Sequence, residues 1–169
     1  MKTFIFAVMA TIGAVYGAAA ALPQTGFYQT IDDKTNTPKS IVALYTYDDG
    51  KLAGRIVALY NADGTISETI ANPVKVAEKI DGKPHFAGLD IIWKMRADGD
   101  EYTGGKIMDP TSGNVYSSVI WNGDDGKLNV RGKIGPFGRT QKWNAISADA
   151  IPNALKNINT SNWTPIIRD

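Results

Sequence analysis

The sequence predicts an all-β fold, a single closed antiparallel barrel of about eight strands with one long loop and a C-terminal helix or tail. Three observations carry this. Short β-prone runs recur at regular spacing from Gly26 to Ile146. Tight turns join most of them: Asp48-Asp49-Gly50, Asp98-Gly99-Asp100, Asp109-Pro110-Thr111-Ser112-Gly113 and Asn122-Gly123-Asp124-Asp125-Gly126, which combine proline, Asx and glycine turn chemistry. Glycines at 104, 105 and 132 interrupt strand-like runs, the pattern expected where a sheet coils sharply or another backbone comes close. Consecutive strands joined by tight turns suit a meander closing on itself better than a sandwich. An eight-stranded barrel has room inside for side chains or for one small ligand.

A chain of 169 residues, 43% hydrophobic and 21% charged, is sized for one domain with a real core. Lys+Arg 18 against Asp+Glu 17 gives a net charge of +1, so nothing draws the chain as a whole to nucleic acid or acidic lipid. Cys 0 removes disulfides, thiol nucleophiles and thiolate metal sites, and His 1 removes any imidazole cluster. No metal or cofactor is expected.

Residues 1–21 read as a secretory leader. Lys2 is the positive end, Phe4 to Val15 the apolar stretch, and Gly17-Ala18-Ala19-Ala20-Ala21 supplies the small residues. Cleavage is expected after Ala19 or Ala21, leaving a barrel over 22–146 and a tail over 147–169 in a periplasmic or secreted protein. The apolar run is shorter than the ~20 residues of a spanning helix, so no integral membrane segment is expected in the mature chain.

Gly26 to Thr30 is the first strand, followed by a polar turn through Pro38. Ser40–Tyr47 and Lys51–Tyr60 form a hairpin. In the second, the charge at Arg55 marks the wet face and turns Leu52, Ile56 and Ala58 inward. In the first, both parities are apolar, so its inner face stays open. Asn61 to His85 is long for a connection. A short helix is expected there, with Asn72 as N-cap, Pro73 in first position and Gly82 past the end, and the loop is either a lid over the barrel mouth or a surface excursion. His85, the lone histidine, reads as a loop residue. Leu89, Ile91, Trp93 and Met95 are assigned to the interior by alternation, with Asp90, Lys94 and Arg96 on an exposed charged face. Strands follow over 101–108, 114–121, 127–134 and 139–146. In the tail, Asp149 to Asn157 suggests a short amphipathic helix, and Trp163-Thr164-Pro165-Ile166-Ile167 is apolar enough to pack on the barrel; the protein is expected to be a monomer or weak dimer.

Most carboxylates sit in Asp-Gly turns, where they serve backbone geometry. Asp109 opens such a turn and reads as a structural bonder. One histidine cannot make a Ser-His-Asp arrangement, and no glycine loop has phosphate-binding spacing ahead of a helix, so the chain is not expected to be an enzyme. The basic cluster Arg131, Lys133, Arg139 and Lys142 interleaves with Phe137 and Trp143 but belongs to a near-neutral chain, and nucleic acid is not expected as a partner. Tyr45, Ile56, Trp93, Met95, Tyr102, Trp121 and Trp143 are the candidates for lining a ligand pocket; the same aromatics would otherwise fill the barrel.

One stretch resembles a known family. Gly104-Gly105-Lys106-Ile107 with Asp109-Pro110, Gly113 and Tyr116, then Val130-Arg131-Gly132 through Gly135, Gly138-Arg139-Thr140-Gln141 and Trp143, resemble the bacterial secreted family called domain of unknown function 2147. Weaker agreement runs back through Asp49-Gly50-Lys51-Leu52 and Gly54 to Gly26. The resemblance implies a lipocalin-like barrel in a periplasmic or secreted protein and supplies no catalytic residue. Gly26-Phe27-Tyr28 is similar to the Gly-x-Trp opening of lipocalin-like barrels, with Tyr28 in the tryptophan's place. In such barrels an arginine near the last strand packs over that aromatic, which implies Arg139 with Phe27 or Tyr28 as a barrel-closing pair. The expected function is non-catalytic binding of a small hydrophobic or amphipathic molecule; the alternative is a structural or protein-interaction module of the cell envelope with a filled barrel.

Overall fold

The computed structural model of the protein describes residues 21–168; apart from Ala21, the expected leader lies outside them. The strands are β1 (Gly26–Ile31), β2 (Pro38–Tyr47), β3 (Lys51–Tyr60), β4 (Ile66–Thr69), β5 (Asp90–Asp98), β6 (Glu101–Met108), β7 (Val115–Asn122), β8 (Leu128–Ile134) and β9 (Phe137–Ala145). They form one antiparallel sheet in the order β2-β1-β9-β8-β7-β6-β5-β3-β4, and β2 also pairs with β3. That pairing closes eight strands into a barrel, with short β4 attached only to β3. The turns that delimited the strands in the sequence are where the chain reverses: Asp109 N–H bonds Asn114 O at 2.9 Å, and the Asp109 carboxylate accepts from Thr111 N and Ser112 Oγ.

Inside, Tyr28, Val42, Leu44, Leu52, Ile56, Met95, Tyr102, Ile120, Leu128, Val130 and Trp143 pack as one buried cluster. The alternation of β5 does not survive. Leu52 stands opposite Met95 and Gly54 opposite Ile92, so β5 spends one more residue than β3 over that span, and Lys94 takes φ 58°. Asp90 lies opposite Arg55 although Ile92 lies opposite Gly54, a second irregularity. Ile92 and Met95 therefore both face inward, where bulges re-aim side chains. Trp93, wholly buried, stands opposite Lys106, an exposed residue whose ammonium reaches Ser117. Trp93 nevertheless packs in the main core cluster, where alternation assigned it, and in neither cluster of the outer face.

Residues 61–89 carry short β4 and otherwise no helix or strand, contrary to the helix expected from Asn72. Isolated bridges Thr69↔Asn72 and Val76↔His85 take backbone groups that a helix needs for itself. Buried Glu68 accepts from Val74 N at 2.5 Å and Lys75 N at 2.9 Å, and Ala77 and Ile80 join the main core. The tail helix reduces to one 3₁₀ turn, Asn153–Leu155, whose Leu155 is wholly buried.

The tail crosses the outer face of β2 and β3. Ile41, Ala43, Val57 and Ala58 pack outward against Leu155, Ile151, Ile158 and Trp163, and Tyr45, Tyr47 and Ala53 against Trp163. Both faces of β2 are thus buried, which is why its sequence has no polar side. A buried carboxylate fixes the tail in place. Asp90, 1% exposed, accepts from Tyr45 OH at 2.7 Å, from Arg55 Nε and Nη2 at 2.9 Å each, and from Ile166 N–H at 2.9 Å. Arg55 Nη2 also donates to Thr164 O at 3.1 Å, and its guanidinium lies 4.4 Å from the Trp163 ring centroid. Burial pushes the Tyr45 hydroxyl well above its ordinary value, with Asp90 adding to the rise. Burial works to lower Arg55, but the hydrogen bonds and charge of Asp90 outweigh it and leave the guanidinium raised.

Removing the carboxylate strands a half-buried guanidinium and frees the tail. Asp90→Ala is expected to lower stability by about 3 kcal/mol and to expose the tail to limited proteolysis, read by urea denaturation and by the protease-resistant fragment. The phenol makes a second, pH-resolved expectation. Its folded value lies above the ordinary 10.0, so the unfolded chain releases this proton first. The contribution is complete below about pH 10 and is lost as pH rises towards the folded value, by up to about 1.4 kcal/mol per pH unit. Urea midpoints between pH 8 and 11 should fall less steeply for Tyr45→Phe than for the parent protein.

Candidate functional site

The two ends of the barrel are covered differently, the first by the segment ahead of β1 and the other, the loop end, in part by the long loop, whose Ala77 and Ile80 join the core beside the β6–β7 turn. At the first, reached by the turns after β2, β5 and β7, the segment ahead of β1 lies across the strands. Asn122 Nδ2 donates to Ala21 O at 2.7 Å, Tyr28 OH donates to Gln24 O at 2.8 Å, and Leu22 packs against the core. Burial raises the Tyr28 hydroxyl.

At the other end the interior-facing rows change character. Ile107 stands opposite Tyr116, Ser118 opposite both Gly105 and Gly132, and Val130 opposite Gln141. Ile120, Val130 and Trp143 are buried and form a floor. Above it Ile107, Tyr116, Gly132 and Gln141 are only half-buried although they sit well inside their strands. A Cβ placed on Gly132 would stand 3.4 Å from Ile107 Cγ2 and 3.6 Å from Tyr116 Cβ, so the missing side chain leaves room for its two neighbours on the wall. The polar lining is sparse. Trp143 Nε1 donates to Gln141 Oε1 at 3.2 Å, and Thr30 Oγ1 and Ser40 Oγ are 2.7 Å apart. The Ser118 hydroxyl, 2% exposed and turned into the barrel, has no hydrogen-bond partner among the described residues. An unpaired buried hydroxyl is costly unless something meets it. Half-buried Ile107 and Tyr116 thus stand beside a buried hydroxyl that has no partner among the described residues.

The sequence candidates divide around this geometry. Ile56, Met95, Tyr102 and Trp143 belong to the filled interior, Trp143 directly under Gln141. Tyr45 lies on the outer face under the tail, engaged with Asp90 and edge-on to Trp163 at 5.2 Å. Trp121 alternates with Ile120 and faces outward, opposite Glu101 and Asn129. The implied pairing of Arg139 with Phe27 or Tyr28 gives way to another contact: Arg139 Nη2 bonds Asp33 Oδ2 at the loop end of the barrel, with most of its side chain in solvent, while Tyr28 is held at the opposite end by Gln24. The sequence reading named Tyr116 and Gln141 within the family resemblance and missed Ser118; the signal was the polar parity Tyr116-x-Ser118 and Gln141-x-Trp143 beside Gly132. Among the described residues no three His, Asp or Glu side chains approach closely enough to share a metal ion, and no helix is long and apolar enough to cross a membrane.

Comparisons with known proteins agree on the architecture. A family model described as an uncharacterized protein conserved in bacteria (DUF2147) matches residues 26–145. Among solved structures, protein HP1028 from the human pathogen Helicobacter pylori, described as belonging to the lipocalin family, superposes with a TM-score of 0.59 at 19% identity, covering 81% of this chain and 89% of its own. At that identity the likeness is one of fold. No curated protein matches the chain.

Proposed function

The chain belongs to the DUF2147 family and has a lipocalin-like barrel, and from that premise we propose that it is a non-catalytic binding protein, exported from the cytoplasm, which takes a small, mostly apolar molecule at the loop end of the barrel, beside Ile107, Tyr116 and Ser118. The observation that carries this is Ser118: a buried hydroxyl without a partner among the described residues, beneath the half-buried Ile107, Tyr116 and Gln141. The ligand sits shallowly, because Met95, Tyr102, Ile120 and Trp143 already occupy the deeper barrel. Apolar contact with Ile107 and Tyr116 supplies most of the affinity, and one polar group on the ligand meets Ser118 or Gln141. A second reading, a filled barrel acting as an envelope interaction module, is favoured by the complete burial of Trp143 and Met95 in that same floor.

Binding of N-phenyl-1-naphthylamine, followed by its fluorescence, separates the two readings. The parent protein is expected to enhance the probe's emission. Gly132→Leu, which puts a side chain between Ile107 and Tyr116, is expected to weaken binding about tenfold, the equivalent of ~1.4 kcal/mol. Absence of any enhancement, or enhancement indifferent to this substitution, would move the assignment to the filled-barrel module. Export has its own readout: protein recovered from its native cells should begin at Ala20 or Leu22, and a product retaining Lys2 in the cytosol would refute export.

A further inference from the structure

The tail covers the outer face of the barrel over β2 and β3, and the corresponding face of β6, β7 and β8 carries a cleft of its own. It has a volume of about 330 Å³ and is lined by Asp100, Glu101, Val119, Trp121, Arg131 and Lys133. Register builds it: Glu101 and Trp121 are directly opposed, as are Val119 and Arg131, and Trp121 is opposed on its other side by Asn129.

Two features set this cleft apart from ordinary surface. Trp93, Trp143 and Trp163 are packed into the hydrophobic clusters, whereas Trp121 is not a member of any of them and is half-exposed. Its ring is nevertheless held. With the amide of buried Asn129 oriented to satisfy its neighbours, Oδ1 accepts from Trp121 Nε1 and from Gly123 N at 3.2 Å each. The indole edge is tethered while part of the ring stays open to solvent. The charges around it are also free to act: Asp100, Glu101, Arg131 and Lys133 enter no ion pair among the described residues. Arg131 makes one weaker contact, to Thr140 Oγ1 at 3.3 Å.

We propose that this cleft binds a saccharide, with one pyranose face lying on Trp121 and its hydroxyls bonded by the surrounding charged groups. An aromatic face is electron-rich and attracts the polarised C–H bonds on one side of a sugar ring. The ring's hydroxyls are both donors and acceptors, so they need carboxylates and cations together, which this cleft provides in equal number. A lipid chain would leave those four charges desolvated. A nucleic acid strand would meet Asp100 and Glu101 beside each base it stacked, in a chain with no net attraction for phosphate. The volume lies within the roughly 300–1,000 Å³ usual for small-molecule sites.

Saturation-transfer NMR with maltose, cellobiose and N,N′-diacetylchitobiose tests this. At least one of the three is expected to receive saturation on its ring C–H protons. Trp121→Ala should weaken that sugar's binding about tenfold, and Glu101→Gln about threefold, both checked for an unchanged thermal midpoint. Should Trp121→Ala fail to fold, Glu101→Gln and Lys133→Met, exposed or half-exposed on the outer face, carry the comparison. Gly132→Leu, at the barrel mouth, should leave sugar binding intact, so the two sites fail independently. No transfer to any of the three sugars at millimolar concentration, or transfer unaltered in the cleft variants, overturns the proposal.

Discussion

A carboxylate taken out of water must be compensated by donors, and the way Asp90 is compensated shapes this molecule. Its partners come from three places: Tyr45 on β2, Arg55 on β3 and the backbone of Ile166 in the tail. The interaction is directional and demands all of these at once, so it specifies where the tail lies as well as holding it there. Trp163 then completes the arrangement by lying on the Arg55 guanidinium, which shields the pair further from solvent. The consequence is an asymmetric barrel. One side is two layers thick, with β2 and β3 buried on both faces; the β6–β8 side carries its outer residues, Trp121 among them, closer to water. The two proposed binding sites lie at the loop end and on that thinner side.

Bulges set the second constraint. A barrel this small coils tightly, and β5 and β6 accommodate it with a left-handed Lys94 and a left-handed Gly104. Gly105 lies so close to β5 that a Cβ there would stand 2.4 Å from Trp93 O, so only glycine permits that approach. The Gly-Gly pair is therefore part of the closure of the barrel, and it lets β6 lie close against Trp93 and Met95 of β5.

Strand boundaries were legible in the sequence because turns announce them: Asp-Gly and Asp-Pro-Thr-Ser-Gly have few alternatives in backbone conformation. The family motifs were legible for the same reason, since they are largely those turns and close approaches. Side-chain direction was less so. The missing polar parity of β2 was a true signal, for a strand buried on both faces has none to show. Tyr45 could be placed only by knowing that a tail more than a hundred residues later covers it. Asp90 read as solvated because alternation put it on the outer face with Lys94 and Arg96; the face was right, but the tail that buries it arrives 76 residues later, and no local pattern could announce it. The helix from Asn72 to Ile80 had sound capping residues and lost to long-range bridges and to the Glu68 carboxylate, which takes the amides of Val74 and Lys75.

The distribution of large side chains along the barrel axis bears on what such a domain can hold. Eight strands enclose little volume, and Tyr28, Tyr102 and Trp143 use much of it near the end covered by the segment ahead of β1. Towards the loop end Gly105, Ser118, Gly132 and Gln141 are small or polar among apolar Ile107, Tyr116 and the loop's Ala77 and Ile80. A core built only for stability gains by continuing large apolar residues to the rim, since each added buried methylene contributes about 0.8 kcal/mol. Here four positions depart from that rule, and the Ser118 hydroxyl among them has no partner among the described residues. Stability is secured elsewhere, by the doubled β2–β3 side and the tail. That division of labour lets the mouth remain underfilled without loosening the fold, and it is the physical reason for assigning the mouth to a ligand while the rest of the interior is assigned to packing.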